Sequence, residues 1–234
     1  MDNKKIQTEL ASYIGRTLRE NFGKGPESVF VSINQSIITV YLRNFTSPTE
    51  NILLNKDQEE IVQTTRDMLM ETLIPEFKAY IRVLTELDVK EFYYDWNLHN
   101  RSGMFVCIAS SPDPNLENQF DGKAEIHDEI SNVSKQAEKV PEAITSFLLN
   151  NRTLVVTRKG ILVPIERELI RLGSSETLKL AKRKLEKRLL HNNENFEKIL
   201  NTKIDDSFVD WDFTLDKSVI AFIISPQQMK VAVS

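Results

Sequence analysis

The chain has 234 residues, of which 41% are apolar and 27% charged, and its formal net charge is −4. That balance is typical of a soluble globular protein, and no run of 18 apolar residues is present to span a bilayer. The single cysteine, Cys107, excludes an intrachain disulfide and fits a reducing cytoplasm, where the chain is expected to reside.

Residues Met1 to Lys5 lead straight into an amphipathic pattern with no apolar signal core. From Lys5 to Phe22, Ile6, Leu10, Ile14, Leu18 and Phe22 recur four apart, which predicts a helix with one apolar face. Gly23-Lys24-Gly25-Pro26 ends it, since glycine suits a left-handed cap and proline cannot continue the helix. Ser28 to Ile33 alternates and Ile37 to Leu42 is apolar and β-branched, so Asn34-Gln35-Ser36 reads as a hairpin turn. Phe45 to Glu50 reads as a turn-rich connection. A long helix is expected from Gln58, with Ile61, Val62, Met68, Leu69 and Leu73 at helical spacing. Pro75 removes a backbone donor and predicts a bend or break before Phe77 to Leu84. Val89 to Leu98 and Met104 to Ser110 form a second hairpin around Asn100-Arg101-Ser102-Gly103.

Ser111-Pro112-Asp113-Pro114-Asn115 reads as a linker. Beyond it the pattern begins again. A weaker helix is expected over Ile126 to Glu138, then a hairpin of Ala143 to Leu149 with Leu154 to Thr157. A long helix from Ser174 to His191, capped by Ser174 or Ser175, is interrupted at Asn192-Asn193-Glu194-Asn195 before Phe196 to Leu200. Ile204 to Phe213 and Val219 to Ser225 close the chain as a hairpin, and Gln227 to Ser234 is a tail.

Sequence anchors recur in order about 115 residues apart. Pro26-Glu27 returns as Pro141-Glu142, Pro48-x-Glu50 as Pro164-x-Glu166, and Asp95-Trp96 as Asp210-Trp211. Phe105 to Ser110 likewise returns as Ile220 to Ser225. The chain therefore reads as a fused tandem of one unit: residues 1–111, a linker over 112–124, and a divergent copy over 125–234. The expected class is α+β, with two α-β-β-α-β-β repeats, antiparallel sheets, helices on one face and a long bent helix in each. The copies could stand as two beads or pair through sheets or helices as a pseudo-dimer, and the short linker favours pairing.

The helix ending in Gly23-Lys24-Gly25-Pro26, the alternating and apolar strands, Thr46-x-Pro48-x-Glu50 before a long helix and the closing strand–turn–strand together resemble the MpsC-like family. The resemblance covers residues 5–110 well. Residues 125–226 keep the frame but carry Glu138-Lys139-Val140-Pro141 where the first copy has its glycines. It implies an accessory role beside a sodium-translocating, membrane-potential-generating system tied to inorganic-carbon uptake, and it supplies no chemistry to carry over.

The paired Asp95-Trp96 and Asp210-Trp211 are the leading candidate interaction residues, with the tryptophans expected to fill a core or an interface. Pro48 and Pro164 are expected to set the turn into the long helix, with Glu50 and Glu166 at its positive end. Residues 1–118 carry 12 basic and 17 acidic side chains, while residues 119–234 carry 18 and 17. The basic excess gathers on one helix, where Lys182, Arg183 and Lys187 read either as a solvated face or as a contact for an acidic partner. His99, His127 and His191 lack metal-ligand spacing, Cys107 reads as a buried inert thiol, and no nucleophile–base set can be assembled. The sequence thus points to a non-enzymatic protein without a cofactor. It would bind a protein partner of a membrane cation or inorganic-carbon transport system, at the inner face of the membrane, with self-association also open. A nucleic-acid regulator using the basic helix over residues 176–190 is the alternative, and a small-ligand sensor near Trp96 and Trp211 a second one.

Overall fold

A computed structural model describes residues 3–109 and 120–226. The expected linker at Ser111 to Asn115, the tail from Gln227 and the first two residues lie outside them. The chain divides into two compact units, Met1–Pro114 and Asn115–Ser234.

In the first unit the order is α1 (Asn3–Phe22), β1 (Ser28–Asn34), β2 (Ile37–Arg43), α2 (Pro48–Leu54), α3 (Glu59–Thr85), β3 (Val89–Asn97) and β4 (Ser102–Ala109). In the second it is α4 (Lys123–Ala137), β5 (Ala143–Asn150), β6 (Thr153–Lys159), α5 (Pro164–Arg171), α6 (Ser175–His191), α7 (Asn195–Leu200), β7 (Ile204–Asp212) and β8 (Lys217–Ile224). Each unit holds one four-stranded sheet, ordered β1-β2-β4-β3 and β5-β6-β8-β7, with every pairing antiparallel. This is the α+β duplication read from the sequence. The apolar runs of β4 and β8 become inner strands buried almost throughout, which is why they do not alternate.

Helices cover one face of each sheet. Leu10, Ile14 and Leu18 of α1 and Val62, Met70, Phe77 and Ile81 of α3 form a core with Ile38, Val40, Leu42, Trp96, Phe105 and Cys107. Burial pushes the Cys107 thiol well above its ordinary range, so it stays protonated and inert. The second core repeats the plan with Ile126, Ile130, Leu154, Val156, Phe196, Trp211, Ile220 and Phe222.

Four details depart from the sequence reading. The stretch at Phe45 to Glu50 does not lead into the long helix but into a separate short one, α2, and its counterpart α5 exists in the second unit. Pro75 does not end α3, which runs through it for 27 residues. Buried Leu73 and Phe77 pack on either side of that proline and hold the helix against the sheet despite the lost donor. In the second unit the interruption is real: α6 stops at His191, and the Asn193 side chain accepts the Asn195 N–H at 2.9 Å to start α7. Ser174 is the residue capping α6, yet its side chain makes no capping bond. Helix α4 begins at Lys123, inside the stretch expected to be linker.

Candidate functional site: a buried cation on tryptophan in each repeat

The Pro-x-Glu and Asp-Trp signals meet at one place in each unit. In the first, Ser47 caps α2, accepting the Glu50 N–H at 3.3 Å while the Glu50 carboxylate accepts the Ser47 N–H at 2.7 Å. Pro48 at the first helical position needs no donor there, so the capping box is complete. Glu50 is thereby aimed at α3, where Arg66 grips it with two bonds, Nε to Oε1 at 2.7 Å and Nη2 to Oε2 at 3.0 Å. Arg66 is fully buried and also donates to the Phe45 carbonyl at 2.8 Å. Its guanidinium lies 4.7 Å from the ring centres of both Phe45 and Trp96, with Phe22 at 5.8 Å. Burial pushes the Glu50 carboxyl up, but the bonds and charge of Arg66 and the Ser47 N–H outweigh it and hold the carboxyl below its ordinary value. Across the strand pair, Gly103 faces Trp96, and a Cβ there would lie 2.5 Å from the indole. Glycine is what lets the ring lie flat over β4.

The second unit keeps the core of this arrangement. Pro164 opens α5, and the Glu166 carboxylate accepts the Val163 N–H at 3.0 Å; valine offers no acceptor, so half of the capping box is missing. Glu166 accepts from Lys182 of α6 at 2.8 Å, and the Lys182 ammonium stands 5.6 Å from the Trp211 ring centre. Lys182 therefore occupies the place of Arg66, 116 positions later.

Around that shared pair the two interiors differ. Counterparts follow from matched burial: Leu10, Ile14 and Leu18 answer to Ile126, Ile130 and Ser134, and β2 and β6 share one burial pattern. On this frame Phe22, Leu42, Met70, Leu18 and Gly103 are replaced by Glu138, Arg158, Glu186, Ser134 and Ser218. The replacements bond to one another. Arg158 donates from Nη2 to Glu186 at 2.6 Å, from Nε to Ser218 at 2.7 Å and from Nη1 to Ser134 at 2.9 Å. Glu138 pairs with Lys182 and lies beside the Glu186 carboxylate. Burial, aided by the neighbouring Glu186 carboxylate and its charge, pushes the Glu138 carboxyl up to about 8, with Lys182 pulling the other way. An apolar pocket in one repeat has become a salt-bridged network in the other.

The residues singled out from the sequence fall within or beside these sites. Trp96 and Trp211 are core residues. Asp95 is buried and accepts the Trp96 N–H at 2.8 Å, while Asp210 pairs with Lys179 at 2.7 Å. The basic helix is not the solvated face expected for it. Lys182 and Arg183 are each 4% exposed, Lys187 is half-buried, and Lys184 and Arg188 remain outside. Two of the three cations proposed to meet a nucleic acid thus lie in the interior. Arg66, Arg158, Glu138 and Glu186 escaped the sequence reading. The signal for Arg158, Glu138 and Glu186 was the joint change from apolar Leu42, Phe22 and Met70 to oppositely charged residues at matched positions, and that for Arg66 was a cation kept at the position of Lys182. The turn at Gly23 to Pro26 borders a shallow cleft of about 500 Å³ with Arg19, Glu27 and Asn44. Gly23 takes a left-handed φ of 73°, as a helix cap should.

Both repeats match the same family description, "Na+-translocating membrane potential-generating system (MpsC)", over residues 2–111 and again over 121–225. The chain belongs to the MpsC family. It carries two MpsC units in tandem, and the paired carboxylate, cation and tryptophan are common to both. No curated protein and no solved structure matches it. No helix among the described residues is long and apolar enough to cross a membrane.

Proposed function

We propose that this protein is a non-catalytic accessory subunit of a sodium-translocating, membrane-potential-generating system. On this reading it sits at the cytoplasmic face of the membrane and binds a protein component of that system, which is coupled to inorganic-carbon transport. The observation that carries the reading is the double match to the MpsC family, one per repeat, over nearly the whole chain. The interior supports it: in the described residues the distinctive polar groups are spent on one another, Glu50 on Arg66 and Glu166 on Lys182, which suits a rigid binding scaffold. The test is physiological. Cells lacking this chain should lose most of their sodium-driven potential, followed with a potential-sensitive dye during sodium steps, and regain it on complementation. A potential response unchanged by the deletion would remove the proposal.

A further inference from the structure

We propose that the second repeat contains a proton-binding site that the first repeat lacks, formed by Glu138 and Glu186 with Lys182, Arg158 and Glu166, and that release of this proton loosens the end of α4 from α6. The geometry starts from a charge imbalance. Glu138, Glu166 and Glu186 are interleaved with two cations, Lys182 and Arg158, in one connected chain of contacts. Their side chains are all nearly closed to solvent, Glu186 and Arg158 almost completely and Glu138 at 5% exposure. A third negative charge in that enclosure has no cation of its own. One proton between Glu138 and Glu186 makes the cluster neutral and turns carboxylate repulsion into a hydrogen bond.

The surroundings define which groups can answer for this. From α6, Glu138 meets Lys182 and Glu186 directly, with Arg183 buried one residue along. Behind them stand Glu166 of α5 on Lys182 and Arg158 of β6 on Glu186. Lys179 of α6 is engaged by Asp210 of β7. Of the other elements against α4, β5 carries no carboxylate or amine. In α7, Glu197 accepts the Ile204 N–H and Lys198 pairs with Glu194. Neighbouring Lys139 pairs with Glu142. The proton is therefore shared by the two carboxylates, and the raised Glu138 value near 8 agrees with that placement.

Glu138 is the C-cap residue of α4, half-buried as a whole, so it sits at the end of its helix beside a turn, although its carboxylate is nearly as enclosed as that of Glu186. Losing the proton restores repulsion against Glu186. Relief lies outward, through the turn Lys139-Val140-Pro141 that leads to β5. In the first repeat the matching residue is Phe22, packed on Phe45 and Trp96, and no such response is available.

Carboxyl carbon NMR of the full chain across pH 4 to 10 tests this directly, with Glu138 assigned by the signal lost in Glu138→Gln. The wild type should show that carboxyl titrating with a midpoint near 8, and amide exchange at the end of α4 should quicken at least tenfold between pH 6 and 9 after correction for intrinsic rates. Glu138→Gln, which mimics the protonated form, should abolish the pH-dependent part of that change. A Glu138 midpoint in the ordinary carboxylate range, or the same exchange profile in Glu138→Gln, would overturn the proposal. Should Glu138→Gln fail to fold, Glu138→Asp serves for assignment and the wild-type titration decides alone.

Discussion

In the first repeat the buried cation is enclosed by rings, with Arg66 between Phe45 and Trp96 and Phe22 closing the side. In the second, Lys182 stands on Trp211 alone and shares its enclosure with Glu138 and Glu166. The backbone frame is the same, so the difference lies in the means of stabilisation. Ring packing tolerates change in proton activity, whereas linked buried charges are sensitive to every member of the set. A duplicated module can thus retain its shape while one copy becomes responsive to alkali.

The largest effect should come from cutting that set. Arg158→Met leaves Glu186 buried without its cation and should cost roughly 3–5 kcal/mol in urea unfolding. Arg66→Met strands a less enclosed carboxylate, since Glu50 keeps the Ser47 N–H, and should cost about 2–3 kcal/mol, in the range of charged hydrogen bonds. Equal losses in the two variants would blur the comparison. Next in size is Gly103→Ala, which drives a methyl into the Trp96 ring and should cost about 1–3 kcal/mol by overpacking. Thermal unfolding will read it, and a neutral substitution would contradict the ring placement.

The two repeats should also answer pH with opposite slopes. Glu50 is held below its unfolded value, so its contribution is present above the ordinary carboxylate range and is lost as pH falls through that range. Glu138 is held above its unfolded value, so its contribution is full in acid and fades as pH rises from about 4.5 to about 8. Glu50→Gln should flatten the acid limb of the stability profile and leave the alkaline limb unchanged. The smallest effect concerns the caps. Ser47→Ala should cost about 1 kcal/mol, whereas Val163→Ser completes the half-formed box of α5 and should add about 0.5–1 kcal/mol.

Much of the frame was legible because it rests on local signals. Alternating strands, the four-residue stripe of α1 and the ordered repeats of Pro-x-Glu and Asp-Trp each report on neighbours in the chain. The Glu50 and Glu166 positions were rightly read as helix starts, although the helix they begin is a separate short one. What the sequence hid depends on contacts between elements. Arg66 meets Glu50 across 16 residues and Arg158 meets Glu186 across 28. Lys182 and Arg183 were read as surface charges because lone charges rarely stay inside, and for Lys182 it is pairing with Glu138 and Glu166 that makes burial tolerable. At Pro75 the helix does not break for the same reason: packing on both sides outweighs a local penalty.

One measurement bears on the whole account. The second repeat, within the full chain, would be given the interior of the first: Ser134→Leu, Glu138→Phe, Arg158→Leu, Glu186→Met and Ser218→Gly together, with Lys182→Arg to match Arg66. If the repeats share one frame, this protein should fold with a stability at least equal to wild type in urea unfolding at pH 8, and lose the alkaline fall in stability. Collapse of the second unit, or an alkaline limb that survives the replacement, would contradict it.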